Sequence, residues 1–265
     1  MKKFKKTEPG ADTVMRGIYI LPNLITAASL FFGFRAIVAV FNGHFHDAAV
    51  YILISGVLDG LDGKIARLTG TSSRFGVEFD SMADVIAFGV APGLLIYVWG
   101  LQPFGKFGWV AGFSYVICAA LRLARFNIQV ATVESKRFNG LATPAAASVI
   151  ATTVLLFYYF GGTGTTKHVT IVITTYILAF LMVSNVKYYS FKDPSLFKRQ
   201  PFSIFVAILI LLILIVAEHE VMLFILAVGY ALSGPIEGIL FFKKRRTEKA
   251  GTKPNTPQSA QKTQK

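Results

Sequence analysis

The sequence predicts an all-α, polytopic integral membrane protein with about eight transmembrane helices, and three observations predict it. Of 265 residues, 54% are hydrophobic and only 15% charged, where a soluble domain carries about 25% charged residues. Apolar runs of 16 to 24 residues recur from one end of the chain to the other, close to the ~20 that a spanning helix needs. Runs this long and continuous satisfy their own backbone hydrogen bonds in lipid only as helices, and the alternation of barrel strands is absent.

The spans fall at 18–41, 46–66, 76–99, 107–131, 144–161, 169–186, 202–217 and 220–242, joined by short segments rich in Gly, Pro, Thr and charge. A basic stretch, residues 1–17, precedes them. The rival reading of the first span is a signal peptide, but 18–41 is too long for a signal core and its small residues sit in the middle. Residues 243–265 are polar and rich in Lys, Thr, Gln and Pro, the composition of a disordered tail. Residues 18–242 thus form one transmembrane domain. The single Cys118 excludes an internal disulfide.

With the N-terminus in the cytoplasm, the inner segments hold 21 Lys and Arg and the outer ones only Lys106 and Lys167. This bias predicts that both termini are cytoplasmic. The net charge of +13 then lies mostly on the inner face, where it attracts anionic lipid and needs no nucleic acid to explain it.

Against this background "LDGLDGKIARLTGTSSRFGVEFDSMAD" (58–84) stands out, with Asp59, Asp62, Asp80 and Asp84 inside apolar spans. At 1.5 Å per residue, Asp59 and Asp62 lie ~12 and ~7 Å above the cytoplasmic turn, and Asp80 and Asp84 ~7 and ~13 Å above it. The pairs are spaced i, i+3 and i, i+4, so each pair shares a helix face. Four carboxylates can therefore converge on one cavity open to the cytoplasm. Bare, they would repel and be poorly solvated; a hard divalent cation with oxygen ligands (Mg²⁺, Mn²⁺ or Ca²⁺) relieves this, and the lack of Cys or His argues against zinc. Gly56, Gly60, Gly63, Gly76 and Gly89 allow close helix approach or leave room for a ligand. Arg67, a fixed cation at the mouth, suits a phosphate. The competing reading is a proton or ion relay in a transporter.

These residues resemble the CDP-alcohol phosphotransferases, whose pattern D-x2-D-G-x2-A-R-x8-G-x3-D-x3-D reads here as Asp59, Asp62, Gly63, Ala66, Arg67, Gly76, Asp80 and Asp84. Within that family "LPNLIT" (21–26), "FDSMADVIAFGVAP" (79–92), "RLARFN" (122–127), "FNGLATPAAA" (138–147) and "MVSNVKYYSFK" (182–192) are similar to the CDP-diacylglycerol–serine O-phosphatidyltransferase branch. The likeness covers about residues 17–195; Ala142 departs from the Pro expected in that branch. The resemblance implies transfer of a phosphatidyl group from CDP-diacylglycerol to L-serine, giving phosphatidylserine and CMP, with divalent metal. It implies Asp59, Asp62 and Asp80 as metal ligands. Asp84 is then general base and further metal contact. Asn23, Thr26, Gly63, Ala66, Arg67 and Gly76 lie around the CDP moiety. A homodimer is also implied. Another acceptor, glycerol phosphate or inositol phosphate, is the alternative within the same chemistry.

Arg122 and Arg125, three apart near the inner end of the fourth span, are spare cations for a serine carboxylate or a lipid phosphate. Lys187 and Lys192 are similar candidates, and Glu78 is placed to accept an ammonium or a rim salt bridge. His44, His46 and Asp47 read as an outer loop, and Arg35 as a cation snorkelling outward.

Overall fold

The computed structural model describes residues 9–70, 73–130, 138–188, 209 and 217–251. The described residues form an all-α bundle with one short two-stranded bridge: α1 (Pro9–Phe41), α2 (Phe45–Thr69), α3 (Arg74–Asp84), α4 (Ala91–Ile96), α5 (Gly105–Val130), β1 (Phe138–Asn139), α6 (Thr143–Tyr159), α7 (Val169–Val183), β2 (Lys187–Tyr188) and α8 (His219–Gly251). Among them, Ile20–Phe41, Arg74–Ile128 and His219–Ile236 are long and apolar enough to cross a membrane, and α6 and α7 are shorter apolar helices. Arg74–Ile128 is a hairpin, reversed at the 3-10 turn Gln102–Phe104.

Five of the eight expected spans match helical segments within a few residues, two more match helices that run longer, and 202–217 lies almost wholly outside the described residues. The first and last helices run longer than their apolar cores. Helix α1 begins at Pro9, a residue preorganised for a helix start. Helix α8 continues through "KKRRTEKA", which is made of good helix formers, to Gly251; residues 252–265 of the expected tail lie outside the described ones.

Two turns fix the geometry at the end of the bundle that carries the acidic stretch. Helix α2 stops at Gly70, whose φ of 63° is the left-handed conformation and whose N–H bonds the Ala66 carbonyl. Ser73 caps α3, its Oγ accepting from the Gly76 N–H at 2.9 Å. Deeper in the bundle, Ser29 of α1 and Ser55 of α2 bind each other's carbonyls at 3.1 and 3.0 Å, polar glue between helices that lipid cannot drive together.

Between α3 and α5 the backbone is not uniformly α-helical. Val85–Val90 and Tyr97–Leu101 are π-helical, flanking α4. Pro92 has no N–H with which to bond the Phe88 carbonyl four residues before it. Tyr115, fully buried on α5, donates its hydroxyl to that carbonyl at 3.1 Å. The irregularity is thus satisfied from a neighbouring helix, the condition for broken backbone inside a membrane.

The bridge was not legible as an apolar pattern. Phe138 pairs with Tyr188 and Asn139 with Lys187, antiparallel, just before α6 and just after α7. Gly140 follows with φ 83°, donating to the Val186 carbonyl at 2.8 Å, and a side chain there would collide with the Met182 carbonyl. Tyr188 is buried, its ring lies over Gly234, and its hydroxyl donates to the Ala231 carbonyl at 3.0 Å. The bridge therefore fastens α8 to the bundle.

Candidate active site

Three helices build the site. From α2 come Asp59 and Asp62, and from α3 come Asp80 and Asp84, each pair on one face as the spacing requires. One carboxylate oxygen each of Asp59, Asp62 and Asp80 lies within 4.8 Å of the others. Asp84 lies beside them, within electrostatic reach of Asp59 and Asp80. Asp62 is 4% exposed, which for a carboxylate requires a partner. Thr26 of α1 supplies it, with its hydroxyl 2.7 Å from Asp62 Oδ2 and 3.1 Å from the Pro22 carbonyl.

All-oxygen donors at this mutual distance fit a hard divalent cation. The glycines divide into two sets. Gly56 and Gly89 pack, a Cβ on them meeting Phe88 at 3.7 Å and Ala119 at 3.4 Å. At Gly60 and Gly63, beside the aspartates, a Cβ would meet nothing within 4 Å. Open space thus adjoins the acidic cluster.

Asn23, Ala66, Arg67 and Gly76, also expected at the site, lie on the same three helices. Asn23 on α1 reaches the start of α3, its Oδ1 3.1 Å from where a Cβ on Gly76 would stand. Ala66 lies in the last turn of α2, and Arg67, exposed beyond it, donates from Nε to the Gly63 carbonyl at 2.8 Å. The two arginines of α5 part company. Arg125 donates to the Val183 carbonyl at 3.3 Å and to Asn185 Oδ1 at 2.6 Å, tying α5 to the end of α7. Arg122 turns inward, donating from Nη1 to Thr143 Oγ1 at 3.0 Å, and lies within electrostatic reach of Asp84 and Asp59. The backbone of Lys187 is in the bridge, with nothing described of its side chain, and Lys192 lies outside the described residues.

Two neighbours of Arg122 were not singled out in the sequence. Thr143, fully buried, lies inside the "FNGLATPAAA" stretch and opens α6. Tyr230 comes from α8, within electrostatic reach of Arg122, its ring 5.7 Å from that of Tyr188. No local signal marks Tyr230, because the apolar α8 sequence does not reveal which face turns inward. Toward the turn between α1 and α2, Arg35 lies 5.5 Å over the Tyr51 ring, and His46 packs edge-on against Tyr158 at 5.9 Å.

An acidic cluster on facing helices of an apolar bundle, with open space at Gly60 and Gly63 beside it, suits a metal-dependent transferase that works on lipid. The CDP-alcohol phosphatidyltransferase family profile matches residues 19–177, and this chain, an integral membrane enzyme, belongs to that family. Among its relatives is a CDP-diacylglycerol–serine O-phosphatidyltransferase of Helicobacter pylori, 37% identical over 86% of this chain and 94% of the relative. The same enzyme from a second strain is 43% identical over 66% of this chain and 74% of the relative. An archaetidylserine synthase of Methanothermobacter thermautotrophicus is 37% identical over 51% of this chain and 58% of the relative.

Proposed function

We propose that this chain transfers the phosphatidyl group of CDP-diacylglycerol to the hydroxyl of L-serine, releasing phosphatidylserine and CMP. The observation that carries this reading is the meeting of Asp59, Asp62 and Asp80 within 4.8 Å beside the open face at Gly60 and Gly63. The printed names of the Helicobacter pylori relatives supply the acceptor.

Asp59, Asp62 and Asp80, with Asp84 at the edge, would hold Mg²⁺ or Mn²⁺, with Ca²⁺ an alternative. When bound, the cation neutralises pyrophosphate charge as a Lewis acid. Thr26 keeps Asp62 oriented toward it. Gly63 and Ala66 leave space for the CDP moiety, Gly76 lets Asn23 of α1 approach the start of α3 beside it, and Arg67 pairs with its phosphate at the mouth. The serine hydroxyl oxygen bonds to the phosphatidyl phosphorus as the bond to the CMP oxygen breaks. Asp84 receives the hydroxyl proton. The bundle completes eight spans with both termini in the cytoplasm, so the site opens to cytoplasmic serine, and anionic lipid gathers at the basic inner face. The working unit is a homodimer.

The test is CMP release by purified protein in detergent with CDP-diacylglycerol and Mn²⁺ or Mg²⁺, with and without L-serine, beside Asp80→Asn and Asp84→Asn. Serine-dependent release, lost on chelation and reduced by at least ~10³-fold in the variants, is the expected result. Release only with glycerol phosphate or inositol phosphate would overturn the acceptor. No release with any alcohol from folded protein would overturn the enzyme and favour an ion relay.

A further inference from the structure

Serine differs from simple alcohols in carrying a carboxylate on the carbon next to the one that bears its hydroxyl. If the hydroxyl lies at Asp84, a cation must wait close by, on a side away from the metal-binding carboxylates. Arg67 is exposed at the mouth and bonded back to Gly63. Arg125 is spent on Val183 and Asn185. Arg122 is differently disposed. Its Nη1 is held by Thr143, while its Nε is buried without a hydrogen-bond partner. Although Asp84 and Asp59 are within electrostatic reach, neither is in ion-pair contact with it among the described residues.

A buried guanidinium donor with no acceptor is costly. The unused Nε and Nη2 form one edge of the guanidinium, and that edge is the shape a carboxylate takes up with two parallel hydrogen bonds. Thr143 holds one nitrogen at 3.0 Å, the Phe126 ring centroid lies 5.7 Å from the guanidinium carbon, and Tyr230 of α8 is within electrostatic reach. Tyr230 is itself backed by Tyr188 at 5.7 Å, and Tyr188 is locked to Ala231.

Given the serine chemistry proposed above, we infer that Arg122 holds the carboxylate of the acceptor amino acid through its Nε and Nη2 edge, with Thr143 and Tyr230 as positioning residues. This site selects amino-acid acceptors over plain amino alcohols.

The experiment compares serine with serinol, which keeps the hydroxyl and amine and replaces the carboxylate by hydroxymethyl, in CMP release by the full-length protein. Wild type is expected to prefer serine by on the order of 100-fold or more in kcat/KM. Arg122→Lys and Arg122→Gln should lower kcat/KM for serine by roughly 10- to 100-fold, mainly through KM, and draw the serine-to-serinol ratio toward unity. The KM for CDP-diacylglycerol should hold. Tyr230→Phe should move the same ratio by a smaller factor. A mere counter-charge for the aspartates would instead depress both acceptors alike and disturb CDP-diacylglycerol as much as serine, which would overturn the inference. Should the Arg122 variants not fold, wild type alone decides: equal use of serine and serinol overturns the carboxylate site while leaving the proposed reaction intact. A wild type that releases CMP with another alcohol and not with serine overturns both.

Discussion

Replacing Thr26 by Val removes one hydroxyl from the contact between α1 and the acidic cluster and leaves nearly the same shape. That hydroxyl stands 2.7 Å from Asp62 Oδ2 at a position 4% exposed, so water cannot take its place. A hydrogen bond to a charged acceptor contributes about 1.5–3 kcal/mol. At about 1.4 kcal/mol per tenfold change, the loss converts to roughly 10- to 150-fold. Because Asp62 is a proposed metal ligand and not a substrate contact, the loss should appear in the Mn²⁺ or Mg²⁺ concentration needed for half-maximal CMP release and in kcat, with the serine KM little altered. Titrating metal against initial rate for wild type, Thr26→Val, Asp62→Asn and the double variant completes the cycle. The double variant should be no worse than Asp62→Asn alone, since Thr26 acts through Asp62. A Thr26→Val enzyme within ~3-fold of wild type at every metal concentration, or losses that multiply in the double variant, would refute the coupling.

Two further outcomes follow from the backbone. At Gly63 a new Cβ meets nothing within 4 Å, so Gly63→Ala should hold or raise the melting temperature by removing a helix glycine, worth about 1 kcal/mol; Gly63→Leu should raise the KM for CDP-diacylglycerol sharply while the protein stays folded, as steady-state kinetics beside thermal melts would show. Ala142 has φ −62° and ψ 136° ahead of α6, and its N–H donates no hydrogen bond among the described residues. Ala142→Pro should therefore stabilise by about 0.4–1 kcal/mol in a thermal melt, restoring the residue that the resemblance led one to expect.

Much of the site was legible because it is local. The i, i+3 and i, i+4 spacings of the aspartates dictate shared faces whatever surrounds them, and a short turn places the two pairs at equal height. Helix positions were legible because lipid forces continuous apolar runs into helices. What escaped depends on distant partners. The π-helical stretch after Asp84 depends on Pro92 and on Tyr115 of another helix. The bridge joins residues some fifty positions apart with only two residues on each side. Arg122 and Arg125 look alike in sequence, three apart on one helix. Only the start of α6 beside one and the end of α7 beside the other separates a guanidinium turned into the site from one that ties helices together.

The bridge that fastens α8 also sets an order of assembly. The chain is made and inserted from its N-terminus, so the four aspartates are all present once Asp84 has emerged, whereas the tyrosine beside Arg122 arrives at position 230. A nascent protein halted before its last helix would hold a full set of carboxylates next to an unfinished acceptor wall, with Tyr188 lacking its anchor at Ala231. On the function proposed above, the carboxylates enter the membrane first and discrimination between acceptors is the last property the growing chain acquires.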